Sequence, residues 1–395
     1  MADETTTTTT AAAPADLSNW RQSPHNHWAF HNVSRIVPTE NIAKDPGAVS
    51  ALPSSPMSLD GFSLPMSDAA ALDLAGFLQL SATDAMVVML GGKLVYETYA
   101  NGTTAHTPHI IMSASKSILG LMTGILEARG DLDVGRLVSD YVPEIAATAY
   151  RGATLRDLID MRTGVRLDEA QQRAYEIASN WDPAPEGVSL GLHDFLANLP
   201  TSDRSHGGPF AYISANSDLM GWVIEQATGR SFAALVSELL WKPMGAESPA
   251  YITVDAAGAP RCTGGLCATA RDFARIGQLV LDGGVCAGRP VIPKAWLDDM
   301  ATGGDPAAWR DGEWGQAFSF ISPNMRYRSG WYGVDDAPKH IFAMGIHGQN
   351  LFVDKTCGLV VAKLSSQASR IDYRALPLTH RAFPEIRRCL TGLAA

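Results

Sequence analysis

Strand-like segments lie towards both ends of this chain, and helical patterns lie between them. Residues 86–99 hold two apolar runs on either side of Gly91-Gly92, which predicts a β-hairpin. Further strand-like runs lie late in the chain, at 318–321, 341–344, 350–353 and 358–364. The pattern predicts one α/β body whose sheet is built from both ends of the chain, with a mainly helical lobe inserted between them.

These patterns divide the 395 residues into four parts. A tract rich in Thr, Ala and Pro at 1–18 predicts a disordered leader. Residues 19–66 predict an irregular arm that wraps the folded body, anchored by Trp20, Trp28 and Phe30. The α/β domain then takes 67–132 and 250–395, and the mainly helical lobe takes 133–249.

Composition excludes several classes of protein. The chain is 46% hydrophobic, enough for a large core, and its formal net charge is −10. An acidic chain without clustered Lys and Arg argues against a nucleic-acid partner, and the lack of an 18-residue apolar run argues against a membrane span. The five cysteines are widely spread without a C-x-x-C pair, so we expect neither a disulfide framework nor a metal site. With no secretory signal pattern, we expect a cytoplasmic protein.

The motif that carries chemistry is Ser113-Ala114-Ser115-Lys116, at the start of an apolar helix predicted over 113–129. Lys116 lies about one helical turn after Ser113, so its amine can reach the Ser113 hydroxyl and take its proton. Only a neutral amine can do this, and burial favours the neutral form. The alternative is a surface Ser and Lys with Ser113 as a helix cap, because S-x-x-K alone is a weak signal.

Two further segments can complete a site around this pair. Tyr212 precedes a predicted helix, and its hydroxyl can protonate a leaving group. Ser214, two residues on, points the same way if the stretch is extended. Ile346 follows a predicted strand, where its N–H can join the N–H of Ser113 in an oxyanion hole. Taken alone, the two segments also fit a core tyrosine and an ordinary strand end.

In combination these segments resemble the β-lactamase-related serine hydrolases, the group of class C β-lactamases, D-alanyl-D-alanine peptidases and family VIII carboxylesterases. The same resemblance extends to TLRDLIDMRTGV at 154–165 and GGLCATARDFA at 264–274, so it covers roughly residues 85–365. It implies a β-lactamase/DD-peptidase-like fold, with an antiparallel sheet flanked by helices. It also implies an acyl-serine mechanism that needs no metal or cofactor.

The arm and the last strands narrow the resemblance further. WRQSPHNHWAF at 20–30 and GIHGQNL at 345–351 are similar to the branch of this group that hydrolyses linear 6-aminohexanoate amides. This implies a small linear amide or ester as the substrate, with Trp331 in the substrate pocket and Glu176 near the substrate ammonium. Whether Tyr175 serves as a lid tyrosine stays open, and a homodimer is compatible with the sequence.

Two departures from the family pattern limit the function. Ser214 stands where the group has Asn, and Ala343-Met344-Gly345 stands where β-lactamases have Lys-Thr-Gly. The cation that would hold a β-lactam carboxylate is therefore missing from that strand, which argues against β-lactamase and D-Ala-peptidase activity. Two alternatives remain: a carboxylesterase without useful amidase activity, and a catalytically silent relative that only binds a ligand.

Overall fold

The computed structural model describes residues 15–67, 70–186 and 191–393. Its α-helices are α1 (Asn26–Ala29), α2 (Leu74–Leu80), α3 (Ser115–Arg129), α4 (Leu155–Ile159), α5 (Glu169–Ala178), α6 (Leu192–Ala197), α7 (Ser214–Thr228), α8 (Phe232–Val236), α9 (Ala270–Leu281), α10 (Lys294–Thr302), α11 (Pro306–Arg310) and α12 (Ala375–Thr391). Short 3₁₀ helices occupy Val33–Arg35, Met112–Ala114, Val138–Asp140, Pro143–Ala147 and Ile346–Gly348. A π-helical turn, Ser237–Trp241, follows α8.

The strands are β1 (Thr39–Ile42), β2 (Thr83–Leu90), β3 (Lys93–Tyr99), β4 (His109–Ile110), β5 (Ala250–Thr253), β6 (Leu266–Ala268), β7 (Val285–Cys286), β8 (Arg289–Pro290), β9 (Met325–Arg328), β10 (Trp331–Val334), β11 (His340–Gly345), β12 (Gln349–Asp354) and β13 (Leu359–Ser365). Within the described residues, seven of them form one antiparallel sheet in the order β3-β2-β13-β12-β11-β10-β9. Because β2 pairs with β13, the first hairpin and the last strands share one sheet, which confirms the predicted α/β architecture.

One predicted strand is wrong. Residues 318–321 form turns instead of a strand. The ring of Phe318 stacks on Trp314 with centroids 5.0 Å apart and meets Trp309 edge-on at 6.3 Å. The apolar run there is therefore explained by aromatic packing rather than by sheet pairing.

Alternating side chains give the main sheet two apolar faces. Val88, Phe342 and Phe352 face α12 and α2, in a cluster that includes Phe77 of α2 and Phe383 of α12. The residues next to them along the strands, including Val87 and Leu351, belong instead to the core shared with α3 and α9. The result is a sheet between two helical layers, as the period-2 pattern of strands requires.

A smaller sheet ties the arm to the body. Its order is β1-β5-β6-β4, so the arm strand β1 pairs with a strand that follows the helical segment 133–249. The arm also begins earlier than predicted, because the backbone N–H groups of Asn19 and Trp20 donate to Asp16 O at 3.2 and 2.9 Å. Asp16 thus anchors the turn that begins the arm, and residues 1–14 of the predicted leader lie outside the described residues.

The helix that carries Lys116 is fixed closely against the sheet. Ser117 Oγ donates to Gly330 O at 2.6 Å, and Trp331 Nε1 donates to Ser117 O at 3.1 Å. A Cβ atom at Gly120 would lie 1.8 Å from Ser329 O, so only glycine permits this approach. The first turn of α3 is therefore held in place by the start of β10.

None of the helices in the described ranges is both long and apolar enough to cross a membrane. The same part of the chain contains no group of three or more His, Cys, Asp or Glu side chains placed to hold a metal ion.

Candidate active site

Ser113 lies in a tight 3₁₀ turn, Met112–Ala114, that leads directly into α3. The predicted helix over 113–129 thus begins two residues late, at Ser115. Met112 has a φ of +48°, a left-handed conformation that is costly for a residue with a side chain and is often found at functional sites. Ser115 holds the turn, since its Oγ donates to Met112 O at 2.7 Å and accepts from Leu266 N at 3.2 Å.

The Lys116 amine is buried directly beside Ser113. Its Nζ is 3.1 Å from Ser113 Oγ and donates to Thr263 O at 2.8 Å. Only 3% of the residue is exposed, and desolvation lowers the pKa of Lys116 well below its ordinary value. Arg261 lowers this pKa further, whereas Asp218 and Glu176 oppose the shift. A buried amine of this kind can be neutral and accept the Ser113 proton.

Tyr212 lies beside Ser113 and Lys116. Its ring centroid is 4.8 Å from Lys116 Nζ, and the ring stacks on Trp314 at 4.3 Å. Burial raises the pKa of Tyr212, and a hydrogen-bonding interaction with Ser113 opposes part of that rise. The phenol therefore keeps its proton at neutral pH and can donate it to a leaving group.

A cavity of about 430 Å³ opens at Ser113 and runs between the end of β11 and α12. Gly345 and Ile346 are among the residues that line it, and the oxyanion role of the Ile346 N–H stays a prediction. A Cβ atom at Gly345 would lie 2.6 Å from Ile111 O and 3.0 Å from Ser113 N. Glycine at 345 is thus what lets the strand end come against the backbone of the Ser113 turn.

The walls of this cavity are mainly apolar, with a small polar region. Trp314, Phe318, Tyr332, Ile371 and Leu376 supply apolar surface. The polar region includes Asn350, whose Nδ2 is buried without a hydrogen-bond partner in the described part of the chain. Among the described lining residues, Arg370 is the one cationic side chain and Asp372 the one anionic side chain.

Arg370 and Asp372, the two charged residues at the cavity rim, are not equally free to bind a charged group of the substrate. Asp372 Oδ1 caps the start of α12 by accepting from Arg374 N at 2.8 Å and Ala375 N at 3.0 Å. Arg370 has a side chain that is 63% exposed, and its contact with Glu176 is long, 3.9 Å. The cavity rim therefore presents a positive charge more freely than a negative one.

Two residues assigned to the pocket from the sequence lie elsewhere. Trp331 is 1% exposed and packs in the core behind α3, so its prediction as a pocket residue is wrong. Strand β10 turns its ring towards the helix instead of the cavity. Ser214 is the first residue of α7 and is not among the side chains that line the cavity.

Glu176 and Tyr175 belong to a buried charge network instead of a substrate loop. Glu176 Oε2 lies 3.1 Å from an Arg21 nitrogen and 3.5 Å from an Arg261 nitrogen, so its charge is already paired. The prediction that it receives a substrate ammonium is therefore not supported by its position. Tyr175 is 0% exposed, and its hydroxyl donates to Asp218, which argues against a lid role.

The network also contains Asp218, Arg261 and Thr263, which the sequence did not predict as site residues. Arg261 lies 43 residues after Asp218. No local periodicity connects positions so far apart, so the sequence pattern does not indicate that these residues meet.

These features define an S-x-x-K serine hydrolase, and the chain belongs to the β-lactamase family, whose model matches residues 79–383. It is a β-lactamase-family serine hydrolase. A 6-aminohexanoate-dimer hydrolase from Paenarthrobacter ureafaciens is 32% identical over 364 residues, covering 90% of this chain and 89% of the relative.

Solved structures agree on the fold. A Bacillus anthracis protein provisionally assigned as a 6-aminohexanoate-dimer hydrolase superposes with a TM-score of 0.88 at 26% identity, covering 97% of this chain and all of the other. A family VIII carboxylesterase has a TM-score of 0.56 at 18% identity, covering 80% of this chain and 95% of the other. The second likeness concerns the fold alone.

Replacing Lys116 by arginine tests whether the amine works as a base. Arginine keeps a long cationic side chain but cannot lose its proton at neutral pH. We expect Lys116→Arg to lower kcat/KM for p-nitrophenyl acetate by ~10³-fold or more, the scale typical of losing a catalytic group. Lys355→Arg, away from the site, is the control and should retain activity. A Lys116→Arg enzyme within tenfold of wild type would exclude Lys116 as the base.

Proposed function

We propose that this enzyme hydrolyses small linear amides and esters through an acyl-Ser113 intermediate. The observation that carries the proposal is the 3.1 Å contact between Ser113 Oγ and the desolvated amine of Lys116. Neutral Lys116 takes the hydroxyl proton while Ser113 Oγ bonds to the carbonyl carbon. The N–H groups of Ser113 and Ile346 hold the resulting oxyanion.

Collapse of this intermediate needs an acid, and Tyr212 is placed to supply it. The phenol donates its proton to the leaving amine or alcohol as the bond from the carbonyl carbon breaks. Tyr212 then regains a proton from Lys116, which carries the one taken from Ser113. Water then attacks the acyl-serine while its proton passes through Tyr212 to Lys116. Lys116 returns a proton to Ser113 Oγ as the bond to the carbonyl carbon breaks and the carboxylic acid leaves.

The cavity supports a linear substrate with an apolar chain. Aromatic and aliphatic walls line a space of about 430 Å³ that leads away from Ser113, enough for a short alkyl chain. The similarity to the 6-aminohexanoate-dimer hydrolase supports a linear amide of that kind. Ala343 stands where β-lactamases carry a lysine, which supports poor turnover of β-lactams.

A carboxylesterase acting on neutral or acidic chains is the second candidate. Two observations favour it: Glu176 is already paired with Arg21 and Arg261, and Arg370 faces the cavity rim. A substrate ammonium would meet a cation at this rim, whereas a carboxylate would be attracted.

A fluorophosphonate probe and a substrate panel test the proposed function. We expect the probe to label Ser113, and Ser113→Ala to lose labelling and at least ~10³-fold in kcat/KM, because the hydroxyl is the proposed covalent centre. The panel is p-nitrophenyl acetate, the linear 6-aminohexanoate dimer and nitrocefin. Ser214→Ala is the matched control and should stay active, since Ser214 does not line the cavity.

Activity that survives Ser113→Ala would contradict the mechanism. Ester turnover without dimer turnover would select the carboxylesterase, and a protein that is neither labelled nor active would be a binding relative. Efficient nitrocefin turnover would overturn the argument from Ala343.

The positive charge of Arg370 at the cavity rim predicts which of two ester substrates with acyl chains of equal length reacts faster. We expect the p-nitrophenyl monoester of adipate to react with a higher kcat/KM than that of 6-aminohexanoate, because Arg370 attracts a carboxylate. An exposed charge is worth roughly 1 kcal/mol, so the ratio should be several-fold. Arg370→Gln should bring the ratio close to one and leave p-nitrophenyl hexanoate unchanged. Arg230→Gln, an exposed arginine away from the cavity, is the control, and an unaltered ratio in Arg370→Gln would remove Arg370 from substrate selection.

A further inference from the structure

A chain of polar contacts runs from the N-terminal arm to Lys116. It begins at Arg21, whose guanidinium lies 5.6 Å from the Trp20 ring and 5.4 Å from the Trp181 ring. Arg21 donates to Glu176 Oε2 at 3.1 Å and also to Asp182. The arm thus places a cation against a carboxylate that belongs to α5.

The chain continues through a pair that is withdrawn from solvent. Glu176 lies 3.5 Å from Arg261, and Arg261 donates to Asp218 Oδ2 at 2.7 Å. The side chains of Arg261 and Asp218 are 2% and 0% exposed. Charges this deeply buried are weakly screened, so each is felt by its neighbours more strongly than a surface charge would be.

The last link is Thr263, which joins the network to the catalytic amine. Its N–H donates to Asp218 Oδ1 at 2.8 Å, and its carbonyl accepts from Lys116 Nζ at 2.8 Å. Asp218 therefore fixes the backbone whose oxygen orients the amine towards Ser113. Loss of a charged residue from this network would change the orientation of the Lys116 amine towards Ser113 and the electrostatic potential at that amine.

We propose that Arg21 of the arm is a positioning residue for the catalytic base, acting through Glu176, Arg261 and Asp218 on Lys116. The inference rests on the proposed function, because it assumes that Lys116 is the base. The arm then contributes to catalysis without touching the substrate, since Arg21 balances the charge of Glu176 at the outer end of the network.

The direction of the effect follows from the signs of the charges. Asp218 on α7 and Glu176 on α5 favour the ammonium form of Lys116, and Arg261 favours the neutral form. The ring of Tyr212 lies 4.8 Å from the amine, and its phenol is neutral because burial raises its pKa. Farther from the amine, the Tyr175 hydroxyl donates a hydrogen bond to Asp218, and Arg370 lies 3.9 Å from Glu176. Removal of Arg21 leaves more negative charge near Lys116, and removal of the Glu176 charge leaves less.

Two single variants should therefore shift the pH profile in opposite directions. For kcat/KM on p-nitrophenyl acetate, the acid limb reports the loss of the proton from the base. We expect Arg21→Met to move this limb to higher pH, and Glu176→Gln to move it to lower pH, each by on the order of half a pH unit. The double variant should return close to wild type, because both members of the ion pair are gone.

A merely structural role would not give opposite shifts. Arg271→Met is the matched control: this arginine is also partly buried and paired with two carboxylates, Glu97 and Glu247. It should leave the acid limb in place even if it lowers Tm. Shifts of the same sign in Arg21→Met and Glu176→Gln, or shifts no larger than in Arg271→Met, would overturn the inference.

Failure of the role proposed for Arg21 and failure of the proposed function would give different experimental results. If Ser113→Ala keeps its activity, the mechanism itself is wrong and the pH limb has no assigned base. If Ser113→Ala is inactive and the two network variants fail to shift in opposite directions, only the role of Arg21 is excluded.

Discussion

The withdrawal of the Lys116 amine from water is the constraint on which the rest of the site depends. An exposed lysine is protonated at neutral pH and cannot take a proton from serine. Here the Lys116 residue is 3% exposed, and within the described residues its amine contacts Ser113 Oγ and Thr263 O. Lys116 lies in the part of α3, residues 115–126, that is buried throughout. Ser117 holds this part of the helix against the sheet through its hydrogen bonds with Gly330 and Trp331.

The site forms where three parts of the fold meet. The turn before α3 provides Ser113, the segment before α7 provides Tyr212, and the end of β11 provides Ile346. The end of β11 packs directly against the Ser113 turn, since a Cβ atom at Gly345 would lie only 3.0 Å from Ser113 N. The arm adds a fourth contribution through Arg21, which reaches the charge network behind the amine.

The sequence predicts the contacts of the site where the relevant spacing is local. The three-residue step from Ser113 to Lys116 is set by helical geometry, and the contact is present even though the helix starts at Ser115. The prediction for Trp331 was wrong because the face of a strand depends on the register of its neighbours. For Glu176 the deciding partner is Arg261, which lies much later in the sequence and meets it only because α5 packs against the segment that follows the lobe.

The most direct test of this account is rapid-quench mass spectrometry of the enzyme mixed with p-nitrophenyl acetate at several pH values. We expect one acetyl group on the peptide that contains Ser113. Its rate of formation should reach a plateau well below about pH 10.4, the ordinary pKa of lysine. An adduct on another residue, turnover without an adduct, or an acylation rate that rises only near that ordinary pKa would contradict it.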